Sequence, residues 1–275
     1  MAAEAKGDGT VGKALAVLDA VAARGRPVRF SELMETSPFP KATLYRFVQV
    51  LTSQGMLSYD PERHTYAPGL RLVRLAHAAW QATSLAPIAR PHLDRLSQAT
   101  GATVHLAQLD AGQVLYVDKR NAAEPVEMYS QAGKVGPAYC TGVGKAMLAH
   151  LDAAALEAVL PQQSFFRFTP ATIADPAALR AELAAIRGRG YALDREEHEP
   201  GIICVAAPIL TRGGRMLGAL SVTSSTARRR LEDLEALAPG IREVAARIAG
   251  EAEAWRFPDQ DAAGGSGRND VGRQA

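Results

Sequence analysis

The chain has 275 residues, of which 47% are hydrophobic and 22% charged, with a formal net charge of +2. That length fits about two domains, and that composition supports a packed core and excludes a disordered chain. The near-balanced charge excludes inferring nucleic-acid binding from composition alone, so charge must be read locally.

The opening MAAEAKGDGT is small and polar and lacks the apolar stretch of a signal peptide. No run of about 18 apolar residues occurs. A cytoplasmic chain without a membrane span is therefore expected. In Thr10–His77, nine basic residues face five acidic ones, a balance of +4. The rest of the chain is net acidic, so a nucleic-acid surface is expected at the N-terminal end. Cys140 and Cys204 are far apart in sequence and are expected to be thiols.

Val11, Ala14, Leu15, Leu18, Val21 and Ala22 recur at helical spacing, which predicts a helix over 10–24 ended by Gly25 and Pro27. A short helix fits Ser31–Thr36. Ser37-Pro38-Phe39-Pro40 breaks it, and Pro40 suits the first position of a third helix over 40–53. Leu44, Phe47, Val48 and Leu51 form that helix's inner stripe, and Gly55 stops it. Met56–Tyr59 and His64–Ala67 read as a hairpin around Asp60-Pro61-Glu62-Arg63. Three helices and a hairpin make a winged helix-turn-helix, assigned to 10–69.

A helical pattern over 70–85 connects it to a second domain, assigned to 86–256. There a helix is predicted over 91–99. Strands are predicted over 103–109, 114–119 and 126–131, the last after an Asn121–Pro125 turn. Helices follow over 142–150, 152–160 and 176–189. Strands over 191–195, 202–210 and 217–224 precede an amphipathic helix over 231–254. The tail 257–275 is polar and Gly-rich and is expected to be disordered. The fold class is α+β.

The inner stripe of the third helix leaves Ala42, Arg46, Gln49 and Ser53 on its outer face, flanked by Thr43 and Tyr45. Arg and Gln make bidentate contacts with guanine and adenine in a major groove. Lys41 and Thr43 are placed for phosphate oxygens, and Arg63 and His64 at the wing tip for the backbone or minor groove. The alternatives are a merely solvated polar face and a winged helix used for protein docking.

In the second domain, Gly144-Lys145 fails as a phosphate loop, because Tyr139 and Ala146 stand where Gly and Ser or Thr are needed. No base signature surrounds either cysteine. Asp194, Glu196, Glu197, His198 and Cys204 contain metal-ligand types, but their spacing matches no recognised set. The plain reading of Glu196–Glu199 is a solvated acidic loop. No catalytic residue, metal or cofactor is assigned. A binding reading fits better. Gly142-Val143-Gly144 opens a helix and offers amides to an anion, Thr141 adds a hydroxyl, and the strands carrying Asp194 and Cys204 supply an opposite wall. Such a pocket suits a small hydroxylated carboxylate. A metabolic enzyme with a fused winged helix is the competing class.

These segments resemble the IclR-type regulator family over about residues 10–255. The likeness rests on Val11-Gly12-Lys13-Ala14-Leu15, on Phe39 through Arg46 and on Leu51 through Leu57. It also rests on Thr141-Gly142-Val143-Gly144-Lys145-Ala146, on Gly190 through Asp194 with Glu196-Glu197, and on Gly201 through Pro208. The resemblance implies a GAF-like effector domain with a central antiparallel sheet, no catalysis, and dimers that often pair into tetramers. It implies a transcription regulator, more often a repressor, on a double-stranded DNA operator. Its matching pocket positions are Gly142 and Val143, then Asp194 and Cys204, then Ser221 and Thr223. The Tyr139–Lys145 stretch, with Cys140 and Thr141, looks most like members that sense sugar acids. Two departures stand out: Ala42 sits where the family often has Ser, and Cys140 where Ser, Ala or Asn is common.

Overall fold

The computed structural model describes residues 9–83, 85–122 and 126–256, without the side chains at 80–83 and 255–256. The tail expected to be disordered lies outside the described residues, as do positions 123–125 of the Asn121–Pro125 turn. The chain divides into two compact units, one ending at Ser84 and one beginning at Leu85. Among the described residues, no helix is long and apolar enough to cross a membrane.

The first unit contains α1 (Thr10–Ala22), β1 (Val28–Arg29), α2 (Phe30–Thr36), α3 (Lys41–Ser53), β2 (Leu57–Asp60), β3 (Thr65–Pro68) and α4 (Leu70–Thr83). Pro40 is the residue before α3, one position earlier than expected, and its carbonyl accepts from Leu44 N–H. The expected stripe of Leu44, Phe47, Val48 and Leu51 is buried. It packs with Val17, Leu18 and Val21 of α1, Leu33 of α2, and Leu57 and Tyr66 of the hairpin. Each large apolar side chain so buried contributes about 1.5–3 kcal/mol. Gly55 ends α3 with φ +70°, a conformation that suits a residue lacking Cβ. Periodicity missed β1, whose two residues pair with β3 and widen the hairpin into the sheet β1-β3-β2.

The second unit opens with α5 (Ala86–Thr100), which begins five residues earlier than expected. Pro87 lies in its first turn, where no donor is needed, and Pro91 lies inside it. A six-stranded antiparallel sheet follows, built from β4 (Thr103–Asp110), β5 (Gln113–Arg120), β6 (Val135–Gly136), β7 (Ala192–Arg195), β8 (Ile202–Leu210) and β9 (Met216–Ser225). Its order is β6-β5-β4-β9-β8-β7. α6 (Gly142–Leu148), α7 (Ala153–Val159) and α8 (Pro176–Arg189) connect the two halves of the sheet, and α9 (Leu231–Glu235) and α10 (Ala238–Arg256) close the unit. Helices α5 and α10 pack together and on the sheet, while α6 packs on β8, β9 and α8.

Two expectations are corrected. Residues 126–131 are not a strand; the place beside β5 goes to Val135–Gly136. The Tyr129 N–H instead donates to the Glu199 carboxylate, so that stretch of backbone is satisfied outside any ladder. The last helix is two helices, because Pro239 has no N–H and its ring would clash with a carbonyl four residues back. It therefore falls in the first turn of α10.

Every residue of α6 is buried, including Lys145. A helix apolar on all sides has no solvent face to keep. Its one charge is met inside the protein, where Lys145 Nζ pairs with Glu197 Oε1.

Candidate functional site

On α3, Lys41, Ala42, Tyr45, Arg46 and Gln49 are exposed and Thr43 is half-buried. The face predicted to be free is free, but one of its members is braced. The Tyr45 ring meets Phe30 of α2 edge-on, with centroids 5.8 Å apart. Arg63 is 80% exposed, with Asp60 at 4.0 Å. The wing turn is held by Asp60 Oδ1, which accepts from the N–H groups of Glu62 and Arg63 at 2.9 and 3.2 Å. His64 has φ +52° and its Nδ1 lies 2.9 Å from the Tyr59 hydroxyl. The wing tip is thus a shaped turn carrying one projecting cation.

In the second unit the sheet register assembles the other set. Asp194 pairs with Cys204, and Cys204 with Thr223. The neighbouring row runs Ala192, Ala206, Ser221 and His105. Residues two apart on a strand share a face, so both rows look toward α6. Small Ala192 and Ala206 make room beneath that helix. A cavity of about 30 Å³ remains, lined by Thr141, Gly142, Val143, Asp194, Cys204, Ser221 and Thr223. Seven of the eight residues expected there come together. Cys140 does not line the cavity; it is fully buried among Tyr139, Val143 and Met147. Tyr116, Met128, Ser130, His198, Glu199 and Ile202 complete the lining. Sequence reasoning missed these, save His198, which it considered only as a metal ligand. Among the described residues, no group of His, Cys, Asp and Glu is placed to hold a metal ion.

Glycine at 142 is a geometric requirement, because a Cβ there would lie 2.3 Å from Cys204 Sγ. The Gly142 backbone, expected to offer its amide to an anion, lies against the Cys204 sulphur. Gly144 is equally constrained: its Cβ would lie 2.4 Å from the Ala138 carbonyl oxygen.

The acidic turn after β7 is built, not solvated. Glu196 has φ +62° and its Oε2 accepts from Gly201 N–H at 2.6 Å. Thr169 and Thr172 hydroxyls donate to the carbonyls of Glu196 and Glu197 at 2.7 and 2.6 Å. Glu197 is buried, with Oε1 on Lys145 and Oε2 without a partner. Asp194 Oδ1 accepts from Glu197 N–H at 2.9 Å. Burial and the neighbouring Glu197 charge push the Asp194 carboxyl up to about 7, against the opposing pull of Lys145. Burial and Asp194 also push the Cys204 thiol up, so it stays protonated near neutrality. The cavity therefore offers hydroxyls, a neutral thiol and a carboxyl near its titration point. It contains no activated nucleophile.

Comparison with known proteins identifies the family of the chain. A model of the IclR helix-turn-helix domain matches residues 10–61, and a model of the C-terminal domain of the bacterial transcriptional regulator IclR matches residues 77–250. The chain is 33% identical over 219 residues to the HTH-type transcriptional regulator XynR of Escherichia coli K12, covering 80% of this chain and 87% of that protein. It is 30% identical over 233 residues to the regulator KdgR of the same organism, covering 85% and 89%. The crystal structure of Thermotoga maritima IclR matches with a TM-score of 0.72 and 30% identity, over 88% of this chain and 98% of that one. An IclR homolog from Microbacterium hydrocarbonoxydans, complexed with 4-hydroxybenzoate, matches with a TM-score of 0.78 and 25% identity, over 90% and 100%. With one family model covering more than half of its length, this chain belongs to the IclR family: it is a DNA-binding transcription regulator, not an enzyme.

Proposed function

We propose that the chain is a repressor that reads its operator with the outer face of α3 and is released or retained by a small hydroxylated acid in the cavity under α6. The observation carrying the effector reading is the single cluster of Thr141, Gly142, Val143, Asp194, Cys204, Ser221 and Thr223 around one buried void. Its polar groups are few and convergent, as in small-molecule sites. The relative bound to 4-hydroxybenzoate supports an acid as the class of ligand.

The void is about 30 Å³, more than one ordered water needs. An acid larger than that space enters by displacing side chains of its wall. Met128 and His198 line the void from segments outside regular structure, and their displacement leaves the sheet intact. On the DNA side, Arg46 and Gln49 meet base edges, Lys41 and Thr43 meet phosphates with Ala42 and Tyr45 alongside, and Arg63 meets the backbone from the wing. The active species is a homodimer or tetramer on a palindromic operator whose half-site spacing follows the dimer. The residues of α4 carry the coupling between units, worth typically about 1–3 kcal/mol.

A thermal-shift screen of the full chain against small carboxylates and sugar acids, followed by gel shift on the DNA upstream of its own gene, tests this. At least one acid should both raise the melting transition and move the gel-shift midpoint. An acid that stabilises the protein without moving the midpoint removes the effector role. A chain that ignores its upstream DNA favours the protein-docking alternative.

A further inference from the structure

Behind the cavity sits His105, on β4 and only 2% exposed. Its ring touches three hydroxyls, all from residues that line the void. Ser130 Oγ lies 2.9 Å from Nε2. Thr223 Oγ1 and Ser221 Oγ lie 3.3 and 3.4 Å from Nδ1, and 3.4 Å from each other. Ser221 is the cross-strand partner of His105, so the β4–β9 register itself delivers the contact. On the other side, the Tyr116 ring meets the imidazole at 5.5 Å and 62°, and Lys119 directs its ammonium to the Ser130 carbonyl at 2.8 Å.

We infer that His105 is the specificity-determining positioning residue of the effector cavity: it joins Ser130, Thr223 and Ser221 into one directed hydrogen-bond chain that accepts only a ligand with a donor at one end and an acceptor at the other. This rests on the effector reading above and assigns the groups that select the hydroxyl of its acid.

The direction follows from proton counting. Burial and the positive charge of Lys119 push the imidazole down to about 3, so it is neutral at working pH. A neutral imidazole has one N–H and one bare nitrogen. If Nε2 carries the proton, it donates to Ser130, whose own proton is then free for the ligand. Nδ1 must then receive the Thr223 proton, and Thr223 receives that of Ser221, which leaves lone pairs facing the cavity. If Nδ1 carries the proton, every arrow reverses. In either tautomer, Ser130 and the Ser221 end of the chain present opposite senses. A hydroxyl and a carboxylate oxygen on one molecule satisfy both ends, whereas a simple carboxylate leaves one end unmet, and an unmet buried polar group is costly.

The test uses the full chain and two probe pairs, glycolate against acetate and 4-hydroxybenzoate against benzoate. Affinities are read by calorimetry, with folding of every variant checked by circular dichroism. In the wild type the hydroxy acid of at least one pair should bind roughly ten-fold tighter or better than its deoxy partner. His105→Leu and Ser130→Ala should each collapse that preference to within about three-fold. His105→Gln, which also offers one donor and one acceptor, should restore part of it. Long-range proton–nitrogen correlation on histidine-labelled protein should show His105 in a single neutral tautomer between pH 8 and 6. A protonated ring or an even tautomer mixture overturns the chain without any ligand being needed. Retained preference in a folded His105→Leu or Ser130→Ala variant overturns it even though acids bind. If no acid binds the wild type while the tautomer is single, the effector reading falls and the hydrogen-bond chain stands. Should His105→Leu fail to fold, Ser130→Ala and the tautomer spectrum still decide.

Discussion

The two units carry their chemistry in opposite ways. On α3 the candidate residues project from a helix whose other side is core, and most are exposed. In the cavity they are buried, and most polar groups already have a protein partner. An exposed face adapts to its partner and tolerates substitution, whereas a buried set must be satisfied before any ligand arrives. Charge should therefore be cheap to alter in the first unit and expensive in the second.

The sharpest way to break this contrast is Lys145→Met. It strands Glu197, whose Oε2 already lacks a partner, as a buried unpaired charge. A loss of about 3–5 kcal/mol in urea denaturation of the second unit is expected, with partial recovery when Glu197→Gln is added. Removing the open Arg63–Asp60 pair with Arg63→Ala should cost under about 1 kcal/mol. Equal costs for the two changes would erase the distinction.

Gly142→Ala sharpens the contrast sterically. The new methyl falls 2.3 Å from Cys204 Sγ, so a loss of about 1–3 kcal/mol is expected together with loss of acid binding. Ala42→Ser, at an exposed position on α3, should change stability by no more than about 0.5 kcal/mol.

Asp194 adds a pH dependence. Its folded carboxyl titrates at about 7, above the ordinary value of 3.8, so the folded state holds the extra proton between them. Stability should fall as pH rises across that window and level off above it. Asp194→Asn keeps an oxygen for the Glu197 N–H and cannot ionise. Its melting temperature relative to wild type should climb by roughly 3 °C or more between pH 5 and pH 8. A flat difference would show that Asp194 is ionised throughout.

Salt separates the two sites in another way. Operator affinity should fall with a logarithmic slope of about −0.9 per phosphate contacted, whereas acid binding in the buried cavity should respond far less. A flat operator slope would argue for protein docking by the winged helix.

What could be read from the sequence follows the same divide. The stripe Leu44, Phe47, Val48 and Leu51 is a local pattern, and a local pattern states which face of its own helix is free. Asp194 and Cys204 stand out from their own segments and Ser221 and Thr223 only through resemblance, and the register of β7, β8, β9 and β4 is what brings the four together. His105 and Ser130 had no such signal. A histidine within an apolar strand looks like core, and Ser130 lies in a stretch whose alternation imitated a strand. Lys145 and Glu197 are 52 positions apart, and no periodicity announces a buried ion pair. A residue's own helix or strand is local information, but its partner across a sheet is not.

The central claim is that α3 turns Arg46 outward to read bases. The direct measurement is fluorescence anisotropy of labelled DNA from upstream of the chain's own gene, comparing wild type with Arg46→Ala at fixed salt. The account predicts a loss of about ten- to a hundred-fold in specific affinity, with circular dichroism and the melting transition unchanged. Equal affinity of the two proteins for that DNA would contradict it.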